Sequence, residues 1–292
     1  MAYKITLIPG DGIGPEVTSA TCSILLAAGA PVEFESVVAG AEAAEKFGNP
    51  MPDAVLDSIR RNRVGLKGPL ATPKGKGYRS ANVSLRQALQ LYTGWRPVDS
   101  LPGVTSRYEG VDLVVLRENT QGLYSGIEHE VTPGTIVSLK VSSADAGERI
   151  ARWAFEYACN AGRRKITVCH KKSVLPKADG AFTDAFFRVG RDYPFIEQDA
   201  ATLDELAMGL TADPTGFDVM LLQNLYGDII SDLCAGLVGG LGVVPGANVG
   251  DRIAVFEAVH GTAPDIAGQG IANPLAVLLS GCLMMEYVGE RK

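Results

Sequence analysis

The strongest constraint on the fold is a repeated alternation of short apolar runs with segments of helical length. Strand-like runs lie at residues 4–8, 32–38, 63–66, 90–95, 111–116, 165–169, 195–199, 217–222 and 253–257. Helical patterns lie between most of them, at residues 15–28, 41–47, 52–61, 80–89, 143–161, 176–192 and 202–210, with a last helix starting at 273–274. Strands that alternate with helices favour a parallel sheet covered on both faces. The sequence therefore predicts an α/β protein.

One segment interrupts this alternation. Residues 126–142 alternate apolar and polar side chains around Pro133 and Gly134, which is typical of a β-hairpin. We expect this hairpin to form an arm that reaches away from the body. No repeat, low-complexity tract or linker divides the chain, so two lobes would require it to cross between them more than once.

Charge and cysteine usage limit the class of partner and the compartment. The formal net charge of −6 argues against a general nucleic-acid binder, which needs a net basic surface. The five cysteines lack CxxC spacing and are expected to be reduced. No signal peptide precedes the first strand, and the longest apolar stretch, 275–285, is too short to span a bilayer. We expect a cytoplasmic protein with neither a nucleic-acid nor a membrane partner.

Two carboxylates four residues apart follow the apolar run 217–222. Asp228 and Asp232 would point along one face of a helix that begins nearby. Paired oxygen ligands at a strand-to-helix junction suit a hard divalent cation. A helix N-cap at Asp228 followed by a solvated acid explains the same pattern.

Several cationic and polar side chains lie at predicted element ends. Ser80, Asn82 and Arg86 share one helix, Arg96 follows a short strand, and Arg117 ends the buried run 111–116. The three arginines suit a cage for a polycarboxylate or phosphate, and equally three unrelated surface positions.

Two further residues have the chemistry of an acid and a base. Tyr124 follows Arg117 closely and can donate a proton, although most tyrosines simply pack. Lys171 follows the strand 165–169 and suits a base in a cleft, or a solvated lysine pair with Lys172.

The glycine-rich turn 10–14 does not match the dinucleotide-binding fingerprint. Its third glycine comes one residue too early, and no acid closes the next strand. The loop 260–268 is a second candidate, because its small residues admit a ligand and Asp265 suits a ribose hydroxyl. An ordinary turn explains either segment.

Taken in order, these segments resemble the isocitrate/isopropylmalate dehydrogenase family of metal-dependent β-decarboxylating dehydrogenases over nearly the whole chain. The resemblance is carried by residues 10–16, 67–69, 117–120, 224–228 and 260–265. It implies an isocitrate/isopropylmalate dehydrogenase-like fold, not a Rossmann fold, with two α/β lobes around a cleft. The cofactor-side lobe would comprise residues 1–98 and 240–292. The dimerisation lobe would comprise 99–239, with a clasp arm at about 126–142.

The resemblance also implies a reaction. It is the NAD-dependent oxidative decarboxylation of isocitrate to 2-oxoglutarate and CO2 with Mg2+ or Mn2+, by a homodimer whose active sites are shared across the interface. Hydride would pass from C2 to the nicotinamide, and a bound metal would supply the charge that polarises the new carbonyl before CO2 departs. Homoisocitrate or 3-isopropylmalate as substrate, and a non-catalytic regulatory subunit, remain alternatives.

The family motifs assign roles to individual residues. Metal ligands would be Asp228 and Asp232, with Asp204 from the other subunit. Lys171 would be the inter-subunit base and Tyr124 the acid. The 2-hydroxy tricarboxylic acid would be held by Ser80, Asn82, Arg86, Arg96 and Arg117, of which Ser80 and Asn82 resemble the isocitrate-type pocket. NAD would be held by Thr72, His260, Gly261, Thr262, Ala263, Asp265, Ile266 and Asn273.

The chain departs from the family pattern at a few positions. Ser173 replaces an asparagine that usually lies near cofactor and metal, and Gln121 replaces an acid beside the nicotinamide ribose. The tripeptide 93–95 also differs, and the family continues beyond the position of Lys292. We expect such changes to alter the pose of the cofactor without abolishing the chemistry.

Overall fold

The computed structural model describes residues 2–73 and 78–290. Its strands are β1 (Tyr3–Ile8), β2 (Val32–Ser36), β3 (Val64–Lys67), β4 (Thr93–Asp99), β5 (Asp112–Glu118), β6 (Gly122–Thr132), β7 (Thr135–Val141), β8 (Lys165–His170), β9 (Glu197–Thr202), β10 (Val219–Leu222), β11 (Ala247–Val249) and β12 (Ala254–Glu257). Its helices are α1 (Gly14–Ala27), α2 (Ala41–Phe47), α3 (Asp53–Asn62), α4 (Ala81–Ala88), α5 (Ala144–Ala161), α6 (Ala178–Gly190), α7 (Leu203–Ala212), α8 (Asn224–Leu237) and α9 (Leu275–Tyr287). Within the described residues, no helix combines the length and apolar character needed to cross a membrane.

These elements group into two compact bodies. The first runs to Leu91 and resumes at Gly240, and the second runs from Tyr92 to Gly239. The sequence placed the boundary later, between residues 98 and 99. It lies before β4 because β4 pairs along its length with β5 of the second body. The expected strand 90–95 also starts later, because Gln90 has a left-handed φ of 53° that interrupts extended backbone.

The first body is built on strands in the order β2-β1-β3-β12-β11. Neighbours along this order are parallel up to β12, and β11 pairs with β12 in the antiparallel sense. Its apolar core includes Ile8, Ile59, Leu66 and Leu85, all at most 1% exposed.

The second body has strands in the order β4-β5-β10-β8-β9. Strands β5, β10, β8 and β9 are mutually parallel, and β4 is antiparallel to β5. The sequence predicted a parallel sheet, and one strand pair in each body departs from it by being antiparallel. The connections 100–111 and 250–253 carry no crossover helix, and strands joined without one pair antiparallel.

The predicted hairpin is confirmed. Strands β6 and β7 pair with each other in a separate two-stranded sheet, with an irregularity between Gly122 and Ile127. Every residue of β7 is exposed except Lys140, which is partly buried. The hairpin is joined to its body at one end, and its clasping role stays a prediction.

Three aromatic rings pack together in the second body. Trp153 and Tyr157, one turn apart on α5, stack with ring centroids 5.4 Å apart. Trp95 on β4 meets Tyr157 edge-on at 5.4 Å and lies 6.1 Å from Trp153. Such pairs add about 0.5–1.5 kcal/mol beyond their burial, so they help fix α5 against the sheet.

Candidate active site

Helix α8 carries the two carboxylates. It begins at Asn224 with Gln223 as its N-cap, so Asp228 lies one turn inside the helix and is not a cap. Asp232 follows on the next turn of the same face. Burial and the nearby Asp228 carboxylate raise the pKa of Asp232, opposed by the charges of Arg117 and Arg96. A divalent cation would relieve this repulsion, so the pair fits a metal ion.

Asp228 contacts two residues from the neighbouring strands. Its Oδ1 accepts from Arg117 Nη1, and its Oδ2 accepts from the Tyr124 hydroxyl. Arg117 also lies against the Tyr124 ring, 5.1 Å from its centroid. Burial and the Asp228 carboxylate raise the pKa of Tyr124, and Arg117 opposes them. The phenol is therefore protonated at neutral pH and available as an acid.

The guanidinium of Arg117 is held on its other side. Its Nε and Nη2 donate to Asn224 Oδ1 at 2.9 and 2.7 Å, and Asn224 Nδ2 donates to the carbonyl of Gln121 at 2.9 Å. Gly227 makes room for this arrangement, because a Cβ there would lie 2.7 Å from Arg117 Cβ and Cγ. The predicted residues Arg96, Arg117, Tyr124, Asp228 and Asp232 thus form one cluster.

Lys171 and Asp204 form a separate pair in the same body. Lys171 Nζ contacts Asp204 Oδ2. Asp204 lies inside the capping box of α7, in which the Thr202 hydroxyl accepts from the Glu205 amide and the Glu205 carboxylate accepts from the Thr202 amide. The described residues contain no group of three His, Cys, Asp or Glu side chains placed to hold a metal. A third carboxylate from another subunit stays a prediction.

In the first body, helix α4 carries the predicted pocket residues. Thr72 Oγ1 accepts from the Ala81 amide at 3.0 Å and caps the helix, while Ser80 makes no side-chain cap. Asn82 Oδ1 and Arg86 Nε are buried without a hydrogen-bond partner among the described residues. Buried polar atoms usually have partners, so these two atoms retain hydrogen-bonding capacity that a polar ligand could use.

Arg86 is anchored by a buried carboxylate. Its Nη2 donates to Glu257 Oε1 at 3.2 Å, and Asn248 Nδ2 donates to the same oxygen at 2.6 Å. Lys67 Nζ pairs with Glu257 Oε2 at 2.6 Å, and Lys67 is 2% exposed. The sequence pattern did not single out Glu257, which merely ends an apolar strand.

The glycine turn and the loop after β12 lie against each other. The Ile13 amide donates to the Thr262 carbonyl at 2.9 Å. A Cβ on Gly12, whose φ is +59°, would lie 2.0 Å from that oxygen. Asp11 accepts from the Ala71 amide at 2.7 Å, which fixes the segment leading to Thr72. The turn therefore organises two groups of predicted NAD contacts.

The remaining predicted NAD contacts lie along the same loop. Gly261 is open, with nothing within 4 Å of a Cβ there, and Ala263 has a left-handed φ of 37°. Asp265 is exposed and Ile266 is half-buried. His260 Nδ1 lies 3.0 Å from the Gly261 carbonyl, and Asn273 Oδ1 accepts from the Leu275 amide at 3.0 Å. The loop presents small residues and one acid, as expected.

A family model described as isocitrate/isopropylmalate dehydrogenase matches residues 4–292. The chain belongs to the isocitrate/isopropylmalate dehydrogenase family. Family membership confirms the resemblance, the fold class and the expectation of a decarboxylating dehydrogenase. The crystal structure of isocitrate dehydrogenase from Methylococcus capsulatus is similar, with a TM-score of 0.94 and 49% identity over 99% of this chain and 86% of that chain.

Relatives within the family differ in role. Catalytic subunit 5 of the mitochondrial NAD-linked isocitrate dehydrogenase of Arabidopsis thaliana is 49% identical over 97% of this chain and 76% of its own length. A regulatory subunit of the mitochondrial NAD-linked isocitrate dehydrogenase of Dictyostelium discoideum and the chloroplastic 3-isopropylmalate dehydrogenase of Solanum tuberosum are each 47% identical, over 98% of this chain and 80% of their own lengths. Their names place those proteins in organelles, and the cytoplasmic location of this chain stays a prediction.

Proposed function

We propose that this protein is an NAD-dependent isocitrate dehydrogenase that forms 2-oxoglutarate and CO2 with Mg2+ or Mn2+. The cluster of Arg117, Tyr124 and Asp228 is the observation that carries the proposal. In this cluster three groups are in direct contact: the Arg117 guanidinium, which can bind a substrate carboxylate, the protonated phenol of Tyr124, and the Asp228 carboxylate, which can ligate a metal. Ser80 and Asn82 favour isocitrate, and Asp265 favours NAD over a cofactor with a 2′-phosphate.

The side chains of the site suit a divalent metal ion and NAD. Asp228 and Asp232 would hold the metal, which supplies charge to polarise the substrate oxygen. The loop 260–266, with Thr72 and Asn273, would hold NAD, which supplies the hydride acceptor.

Substrate binding and proton transfer are assigned to side chains of the protein. Arg117 and Arg96, both at most 5% exposed, orient substrate carboxylates, because a buried guanidinium is a rigid, desolvated donor. Lys171 takes the hydroxyl proton, and Tyr124 returns a proton to the carbon that CO2 has left. Arg86, held by Glu257, binds a further carboxylate.

Asp204 and Lys171 are proposed to act at the site of a second copy of the chain. The hairpin supports a homodimer, because it exposes Val131, Ile136 and Leu139 at 57%, 65% and 45%. Apolar side chains at that exposure suit a protein interface. Light scattering after size-exclusion chromatography would test this, and a monomer at micromolar concentration would contradict it.

Two alternatives have specific support. The Solanum tuberosum relative is a 3-isopropylmalate dehydrogenase. The first alternative is therefore the same chemistry on 3-isopropylmalate or homoisocitrate. The Dictyostelium relative is a regulatory subunit, and Ser173 and Gln121 depart from the catalytic pattern. Retention of Tyr124 and Lys171 favours a catalytic role.

The experiment is a substrate and cofactor panel. Reduced-nicotinamide absorbance is followed with isocitrate, homoisocitrate or 3-isopropylmalate, with NAD or NADP, and with Mn2+. We expect signal from isocitrate with NAD, abolished by Asp228→Asn and unchanged by Asp145→Asn, an exposed acid of the same body. If folded protein forms no reduced nicotinamide under any of these conditions, while isocitrate still raises its Tm, the proposal is refuted and a non-catalytic binding subunit is favoured.

A further inference from the structure

One buried carboxylate has no role in the chemistry described so far. Asp179 is the second residue of α6, and its exposed fraction is 0%. An isolated buried carboxylate is strongly unfavourable, so its partners must supply charge and hydrogen bonds. These partners come from β7, from α8 and from the segment that carries Lys171.

Asp179 holds the backbone of Lys171. The Lys171 amide donates to Asp179 Oδ2 at 2.7 Å. The Lys171 carbonyl accepts from the Leu175 amide at 2.9 Å, and the Leu175 carbonyl accepts from the Asp179 amide at 3.0 Å. The turn that presents Lys171 is therefore closed onto the start of α6 by hydrogen bonds on both sides of that residue.

The same carboxylate holds the hairpin. Lys140 Nζ pairs with Asp179 Oδ1 at 2.5 Å, and the Tyr226 hydroxyl donates to Oδ2 at 3.1 Å. Lys140 Nζ lies 4.5 Å from the centre of the Tyr226 ring. Burial, followed by the Asp179 charge, raises the pKa of Tyr226 well above its usual value, which keeps the phenol a donor.

We propose that Asp179 is a positioning residue for Lys171 and that Lys140 couples this position to the hairpin. The inference rests on the proposed function, in which Lys171 is the base. Asp179 touches neither substrate nor cofactor in this scheme. Its removal should lower kcat with little change in KM, because a misplaced base weakens proton transfer and not substrate binding.

The test is a double-mutant cycle. Asp179→Asn is made in the native chain and in a Lys171→Ala chain, and kcat and KM for isocitrate are measured with NAD and Mn2+. In the native chain we expect kcat to fall between about tenfold and about a hundredfold, which is no more than the about 10²–10⁴ that a general base supplies. In the Lys171→Ala chain the same change should alter kcat less than about twofold, because the two residues act as a unit.

Two further variants keep the outcome decisive. Ser142→Ala removes a 2.9 Å hydrogen bond to the Ala178 carbonyl at the same helix start and should leave kcat unchanged. Asp179→Asn leaves the ammonium of Lys140 without its carboxylate, which can unfold the variant. In that case the double variant Asp179→Asn/Lys140→Met is used in place of Asp179→Asn, both in the native chain and in the Lys171→Ala chain. An equal loss of kcat in the two chains would overturn the positioning role. An unchanged kcat in Lys171→Ala alone would instead overturn the base and with it the inference.

Discussion

Replacing Gly227 with alanine tests the packing of the site most directly. A Cβ at this position would lie 2.7 Å from Arg117 Cβ and Cγ, well inside van der Waals contact. The side chain of Arg117 carries the bonds to Asn224 and Asp228, so it cannot move without breaking them. We expect the alanine to displace the guanidinium from its present position.

The cost to stability is small because two effects oppose each other. Overpacking costs about 1–3 kcal/mol, whereas alanine gains about 0.8–1.0 kcal/mol over glycine inside a helix. The net loss is about 0–2 kcal/mol, which lowers Tm by at most about 8 °C in a body of this size. The cost to activity is larger, because a displacement of about 1 Å reduces turnover by up to about 10²-fold.

Gly236→Ala is the matched control. Gly236 lies on the same helix, is exposed, and has no neighbouring atom within 4 Å of the place where an alanine Cβ would lie. It should gain up to about 1 kcal/mol from helix propensity and keep its kcat/KM. Differential scanning fluorimetry gives Tm, and steady-state NADH formation gives kcat/KM. Equal Tm and equal kcat/KM in the two variants would refute the reasoning.

Two other predictions concern the first body. Hydrogen bonds from Asn62 and Ser58 lower the pKa of Glu35 from 4.5 to about 2. Glu35→Gln should therefore lower Tm at neutral pH, and the difference should narrow as pH falls from 4.5 through about 2; a constant difference would contradict this. Lys67→Met leaves Glu257 buried with fewer partners and should cost about 3 kcal/mol in urea unfolding. A loss below about 1 kcal/mol would contradict the importance of that buried pair.

Periodicity predicted most of the elements. The apolar runs of β5 and β10 and the amphipathic pattern of α5 lie close to the expected positions, because each reflects local alternation or helical spacing. The direction of each strand relative to its neighbours was harder to predict from the sequence. The antiparallel β4–β5 pair depends on how the chain folds back through residues 100–111, for which no local pattern exists.

The sequence predicted which residues form the site, but it did not predict which of them contact each other. The spacing of Asp228 and Asp232 placed them on one helix face, but Arg117 and Asn224 meet across 107 residues of chain. The sequence patterns did not single out Asp179, which lies in the first turn of α6. Its charged partner, Lys140, lies 39 residues away on a strand that is otherwise exposed.

The aromatic cluster determines what indole emission can report. The chain has two tryptophans, and both Trp95 and Trp153 belong to the second body. Their ring centroids lie 6.1 Å apart, so both indoles report on the same part of that body. Fluorescence-detected unfolding therefore follows the second body alone, whereas far-ultraviolet circular dichroism follows both. Non-coincident transitions from the two probes would show that the bodies melt independently.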